Sequence, residues 1–169
     1  SIYNAVVKGI PSMERVVTVT GDGVVNPGNY KVLFGTNQNE LIEAAGGLKE
    51  GCEKVISGGP MMGFAMYTTD TPITKTSSSI LCMSKDEVSA CEPTACINCG
   101  RCVDACPSRI IPSRLADFAE RHDEEAFLKF NGLECVECGS CSYVCPAKRQ
   151  LKQAIGSMRK TALANKKKK

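Results

Sequence analysis

Residues 96–107 read "CINCGRCVDACP", and residues 135–146 read "CVECGSCSYVCP". Both fit C-x₂-C-x₂-C-x₃-C-P: Cys96, Cys99, Cys102, Cys106 and Pro107, then Cys135, Cys138, Cys141, Cys145 and Pro146. The spacing has a physical reason. Three thiolates two residues apart can wrap a short loop round one face of a cube of iron and sulfide, and Gly100 and Gly139 relieve crowding where the loop turns. The fourth cysteine opens the next segment and points away, so in two-cluster ferredoxins it ligates the other cluster. The sequence therefore predicts two 4Fe–4S clusters with crossed ligands. Cys96, Cys99, Cys102 and Cys145 would hold one, and Cys135, Cys138, Cys141 and Cys106 the other.

Other uses of cysteine fit less well. Zinc sites pair C-x₂₋₄-C units across a longer gap, so a zinc-stapled interaction module without a redox role is the alternative from a different class. A disulfide scaffold is usually short and stapled throughout. Here the chain has 169 residues and 11 cysteines, and outside the two runs there are only Cys52, Cys82 and Cys91. These three read as buried apolar residues or idle thiols. The lone histidine, His122, reads as a surface helix residue. No carboxylate pair, Ser/His/Asp set or phosphate loop accompanies the cysteines. The segment therefore reads as an electron carrier with no catalytic residue of its own, and any hydride chemistry belongs elsewhere.

Working outward, "PSRLADFAERHDEEAFLKFN" (112–131) links the runs. Leu115, Phe118, Ala119, Ala126, Phe127 and Phe130 approximate a helical stripe. Pro112 suits a first helical position and Asp123 a cap, which predicts two short helices or one broken near His122. "LKQAIGSMRKTALA" (151–164) reads as a terminal helix. Ahead of the cysteines, "RVVTVTG" (15–21), "NYKVLFG" (29–35) and "EKVISGG" (53–59) read as strands, with "GDG" and "NPG" as turns. Thr36 can cap a helix that Gly46 and Gly47 end. Strand, strand, helix, strand suits a β-grasp-like module. "GGPMMG" (58–63) reads first as a tight turn, and "SSSILCM" (77–83) as a further strand.

Charge is uneven. Residues 148–169 hold nine Lys or Arg and no acid, whereas the rest hold 12 basic and 18 acidic side chains, a net −6. The closing lysines read as a solvated, disordered tail, with attraction to an anionic membrane surface as the functional alternative. No apolar run reaches the roughly 20 residues of a membrane span, and nothing marks nucleic-acid binding. The start lacks an initiator Met and a signal-peptide layout, so the sequence reads as a soluble piece of a longer protein.

Together, "ERVVTVTGDGVVNPGNY", "ISGGPMMG", "CINCGRCVDACPSRIIP" and "CVECGSCSYVCPAK" resemble the C subunit of the Rnf complex, a membrane-bound, ion-translocating ferredoxin:NAD⁺ oxidoreductase. The resemblance runs from about residue 10 to 155. It implies an α+β fold: a soluble-ligand-binding β-grasp (SLBB) domain over 1–92, a helical two-cluster ferredoxin domain over 93–164, and a basic disordered tail over 165–169. It places FMN and NAD(H) on a preceding domain that this sequence lacks. It also implies other subunits of a membrane electron-transport complex as partners, ferredoxin as a further candidate, and a peripheral location on the cytoplasmic side of the cell membrane. The related cobalamin reductase of bacterial microcompartments shares the β-grasp and two-cluster layout and is the nearest alternative.

Overall fold

The computed structural model describes residues 2–88 and 90–166. The chain forms two compact units, Ser1–Val88 and Ser89–Lys169.

The first unit opens on α1 (Ile2–Lys8), an element the sequence reading did not assign; none of its residues is buried. A five-stranded sheet follows, in the order β2-β1-β5-β3-β4. In β1 (Glu14–Thr20) the β-branched residues alternate: Val17 and Val19 are fully buried, while Val16 faces outward. β2 (Gly28–Leu33) returns antiparallel, with Tyr30 opposite Val17. α2 (Gln38–Ala44) then leads to β3 (Lys54–Ser57), but β3 does not sit beside β1. β5 (Ser79–Met83) lies between them, parallel to β1 and antiparallel to β3, while the two-residue β4 (Phe64–Ala65) closes the edge. Leu41 and Ile42 of α2 join Val17, Val19, Val24, Ala45, Ile73, Ile80 and Cys82 in one core. Each fully buried aliphatic side chain there contributes about 1.5–3 kcal/mol.

The helix cap differs from the expected one. Asn37, not Thr36, caps α2: its side chain accepts from Asn39 N at 2.9 Å. Thr36 is engaged through its backbone instead, accepting from Ile73 N at 2.8 Å. The far end follows expectation. Gly46 and Gly47 are both left-handed (φ 86°), and their N–H groups donate to Glu43 O and Ile42 O, each at 2.9 Å. The "GDG" turn packs on β5, where a Cβ on Gly21 would lie 1.9 Å from Cys82 O. The "GGPMMG" turn is equally close-packed, since a Cβ on Gly63 would lie 2.5 Å from Gly59 O. Cys82 is buried in the core and Cys52 is half-buried against it, whereas Cys91 is exposed.

The second unit is an internal repeat with an offset of 39 residues, as from Cys96 to Cys135. α3 (Arg101–Asp104) recurs as α6 (Ser140–Tyr143). α4 (Pro112–Glu120) begins at the same repeat position as α7 (Leu151–Lys166). α5 (Glu124–Lys129) and a 3₁₀ turn, Gly132–Glu134, occupy the link between the copies. α4, α5 and α7 bury Leu115, Ala116, Phe127, Leu151, Ile155 and Met158 in a core of their own. The expected break falls at His122, which is exposed and left-handed (φ 58°), and Asp123 caps α5 by accepting from Ala126 N at 2.9 Å. The expected helical stripe is buried at Leu115, Ala119 and Phe127; Phe130 is exposed but packs on Phe118 with ring centroids 5.0 Å apart.

The expected disordered tail is corrected at its start. Asn165 and Lys166 are the last residues of α7, and Asn165 Nδ2 donates to Glu124 Oε2 at 2.7 Å. The rest of that expectation, Lys167–Lys169, lies outside the described residues.

Candidate metal centre

The two cysteine loops share one backbone path. Gly100 and Gly139 are left-handed (φ 77° and 84°) and open α3 and α6. Two positions earlier, Asn98 and Glu137 are left-handed as well (φ 53° and 55°), and so are Arg109 and Lys148 just past the fourth cysteines (φ 52° and 53°). None of these four is a glycine, and each such residue carries roughly 1–3 kcal/mol of backbone strain. The turns are tied identically. Val103 N donates to Gly100 O at 2.8 Å and Ser142 N to Gly139 O at 3.1 Å; Arg109 N and Lys148 N donate to Cys106 O and Cys145 O, both at 3.1 Å.

These paths bring the cysteines together in two sets of four. Cys96, Cys99, Cys102 and Cys145 line a cavity of about 210 Å³, walled by Ile97, Ile111 and Leu151. Cys106, Cys135, Cys138 and Cys141 line a tighter one of about 20 Å³, walled by Ile110, Val136 and Ile155. In each cavity the fourth cysteine comes from the other run. Among the described residues, no three His, Cys, Asp or Glu side chains converge closely enough to hold a single metal ion.

The two sets differ in surroundings. Cys96 and Cys99 are exposed, whereas Cys141 is buried. Burial pushes the Cys141 thiol up to about 11, and burial also raises Cys135, with Glu137, Cys106 and Cys138 adding like-charge repulsion. Two hydrogen bonds favour thiolate: Glu137 N donates to Cys135 Sγ at 3.4 Å, and Cys138 is lowered by its contact with Ser140, 3.5 Å from its sulfur. Beside the first set stands Arg149. Burial works against its charge, but Asp117 and Glu120, 2.8 and 3.0 Å from Nη2, outweigh that and raise its pKa. Beside the second set, Arg159 Nη1 pairs with Glu137 at 3.3 Å. Sequence reasoning did not single out Arg149 or Glu137. Arg149 is one of nine basic residues in 148–169, and no local signal separates it from the rest.

Four thiols with largely apolar neighbours are the donor set of a 4Fe–4S cluster, which is held by four Cys thiolates. Comparison with known proteins agrees. Residues 95–149 match the 4Fe-4S dicluster domain family, and residues 16–65 match the SLBB domain family. Iron–sulfur clusters are therefore the cofactors of the second unit. The C subunit of the proton-translocating ferredoxin:NAD(+) oxidoreductase complex of Clostridium ljungdahlii is 47% identical over 156 residues, 92% of this chain and 34% of that protein. Its counterpart in the Na(+)-translocating complex of Acetobacterium woodii is 39% identical over 167 residues, 99% of this chain and 38% of its own length. The chain is homologous to the C subunits of ion-translocating ferredoxin:NAD⁺ oxidoreductases. A third relative, the C subunit of the ion-translocating oxidoreductase complex of Methanosarcina acetivorans, is 45% identical over 155 residues, 92% of this chain and 34% of that protein. The chain thus spans little more than a third of the length of these relatives. Its architecture is α+β, an SLBB domain followed by a 4Fe-4S dicluster domain. No helix among the described residues is long and apolar enough to cross a membrane.

Proposed function

We propose that this chain passes single electrons through two 4Fe–4S clusters within an ion-translocating ferredoxin:NAD⁺ oxidoreductase complex. One cluster is held by Cys96, Cys99, Cys102 and Cys145, the other by Cys135, Cys138, Cys141 and Cys106. The observation that carries this reading is the crossed lining of the two cavities. When bound, a cluster of this type takes up and releases one electron at a time.

The protein's own residues prepare that exchange. Ile97, Ile111 and Leu151 on one side, and Ile110, Val136 and Ile155 on the other, give the sulfurs apolar neighbours. The Glu137 N–H steadies the Cys135 thiolate. Arg149, part-buried, lines the first cavity with its charge held in place by Asp117 and Glu120. Because the fourth ligand of each set belongs to the other run, the two clusters sit on a shared frame, which suits transfer between them.

In the complete protein, the names of the relatives support a donor or acceptor site for NAD(H); in this reading it would lie on a domain outside this sequence, with FMN as the converter between hydride and single electrons. The partners in this reading are the other subunits of the membrane complex and ferredoxin, with this chain bound peripherally on the cytoplasmic side. Two measurements test it. Anaerobically reconstituted protein should carry about eight irons and eight labile sulfides. Dithionite should bleach its broad absorption promptly, while NADH should not until the preceding domain is restored. Two zincs without sulfide would refute the cofactors, and prompt bleaching by NADH alone would refute the division of labour.

A further inference from the structure

One cavity of the first unit contains no cysteine. It measures about 480 Å³ and opens where residues 64–78 fold over the start of α2. Gln38, the first residue of α2, lines it and is only 4% exposed. Thr71 lines it too, and the two are clamped together, with Gln38 N donating to Thr71 O at 2.9 Å. Yet Gln38 Oε1 and Thr71 Oγ1 are both buried without a hydrogen-bond partner. Buried polar atoms are almost always paired, so two unmet ones on residues that line one cavity point to a ligand that meets them.

The remaining walls narrow its chemistry. Phe64 is 63% exposed and Tyr67 fully so, which leaves ring faces free to stack on a flat molecule. Among the described residues that line the cavity none is charged. Lys75, between two lining threonines, turns its Nζ over the Phe34 ring, 5.9 Å from the centroid. Nothing here would neutralise a phosphate or carboxylate. A carboxamide offers an acceptor and a donor side by side, the complement of an N–H and C=O in one ring edge.

We propose that this cavity binds an uncharged planar heterocycle by an amide or imide edge, which Gln38 and Thr71 engage while Phe64 or Tyr67 covers the ring face. The site is independent of the cluster ligands, so either reading can fail without the other. The test is anaerobic calorimetry on the full, cluster-loaded chain. The probes are riboflavin and uridine as neutral amide-edge rings, FMN and UMP as the same rings with phosphate, and glucose as a polyol with no flat face. At least one neutral ring should bind, its phosphate form no more tightly, and Gln38→Leu or Thr71→Val should weaken it by about tenfold or more. Hydrogen exchange on the unaltered protein should show ligand-dependent protection across 64–78, a readout that does not depend on how the variants fold. The proposal is overturned if neither ring binds at millimolar concentration or protection falls elsewhere. It is equally overturned if a phosphate form binds tenfold tighter or glucose binds as well as the rings.

Discussion

Substitution of Cys106 separates crossed from uncrossed ligation with integer outcomes. Cys106 lines the cavity of Cys135, Cys138 and Cys141, thirty residues or so along the chain, and not the cavity of its own run. Its backbone is held without its sulfur: Cys106 N donates to Val103 O and Cys106 O accepts from Arg109 N, both at 3.1 Å. Cys106→Ala therefore removes one ligand and leaves the loop in place. A cluster with one of four thiolates missing is expected to be lost, so iron should fall from about eight to about four per chain. Double variants then decide which cluster went. Adding Cys135→Ala should cost nothing more, because it strikes the cluster already lost, and iron should stay near four. Adding Cys96→Ala should remove the survivor and bring iron near zero. This is a double-mutant cycle read in atoms of iron. The assay is iron and labile sulfide after anaerobic reconstitution, with circular dichroism to confirm the helices. The reverse pattern, near zero for the Cys135 double and near four for the Cys96 double, would refute crossed ligation.

Three further outcomes follow from the packing and charges. Phe127 is fully buried and its ring touches the Gly132 backbone so closely that a Cβ there would lie 2.3 Å away. Phe127→Ala should cost about 3–5 kcal/mol and Gly132→Ala about 1–3 kcal/mol in denaturant melts of the loaded protein, and a change under half a kcal/mol for either would contradict this core. Asp22 is held below its usual 3.8 by hydrogen bonds from the Ser84 hydroxyl and N–H. The folded state thus favours the carboxylate: its contribution is present above about pH 4 and is lost as pH falls through the lower folded value. Asp22→Asn should flatten the acid side of the stability profile, below about pH 5, and an unchanged slope would count against the Asp22–Ser84 hydrogen bonds. Residues 10–88 contain their whole core and no proposed cluster ligand. Prepared alone and without iron, they should keep their sheet and helix by circular dichroism; a random-coil spectrum would show that they need the rest of the chain.

Elements whose signals are local could be read from the residues alone. Cysteine spacing specifies cluster chemistry because a short loop must deliver three sulfurs to one cube face. Alternating valines mark β1, and paired glycines end α2, since both are decided within a few residues of backbone. The spacing also leads to the expectation that Cys106 and Cys145 lie with the opposite runs, and each lines the cavity of the other run. Long-range pairing was not legible. That β5 enters the sheet between β1 and β3 depends on which strands bury the same core, and Asn37 displaced Thr36 as cap because the Thr36 carbonyl was already engaged by Ile73, 37 positions along the chain. The left-handed turns at Asn98, Glu137, Arg109 and Lys148 carry no glycine to announce them, and only the repeat shows them to be one geometry used twice. Gln38 and Thr71 are unremarkable in sequence. Their meeting in one cavity, each with an unmatched polar atom, exists only because segments 33 residues apart fold against each other. Tertiary packing decides such features because burial, not residue type, is what makes a polar atom need a partner.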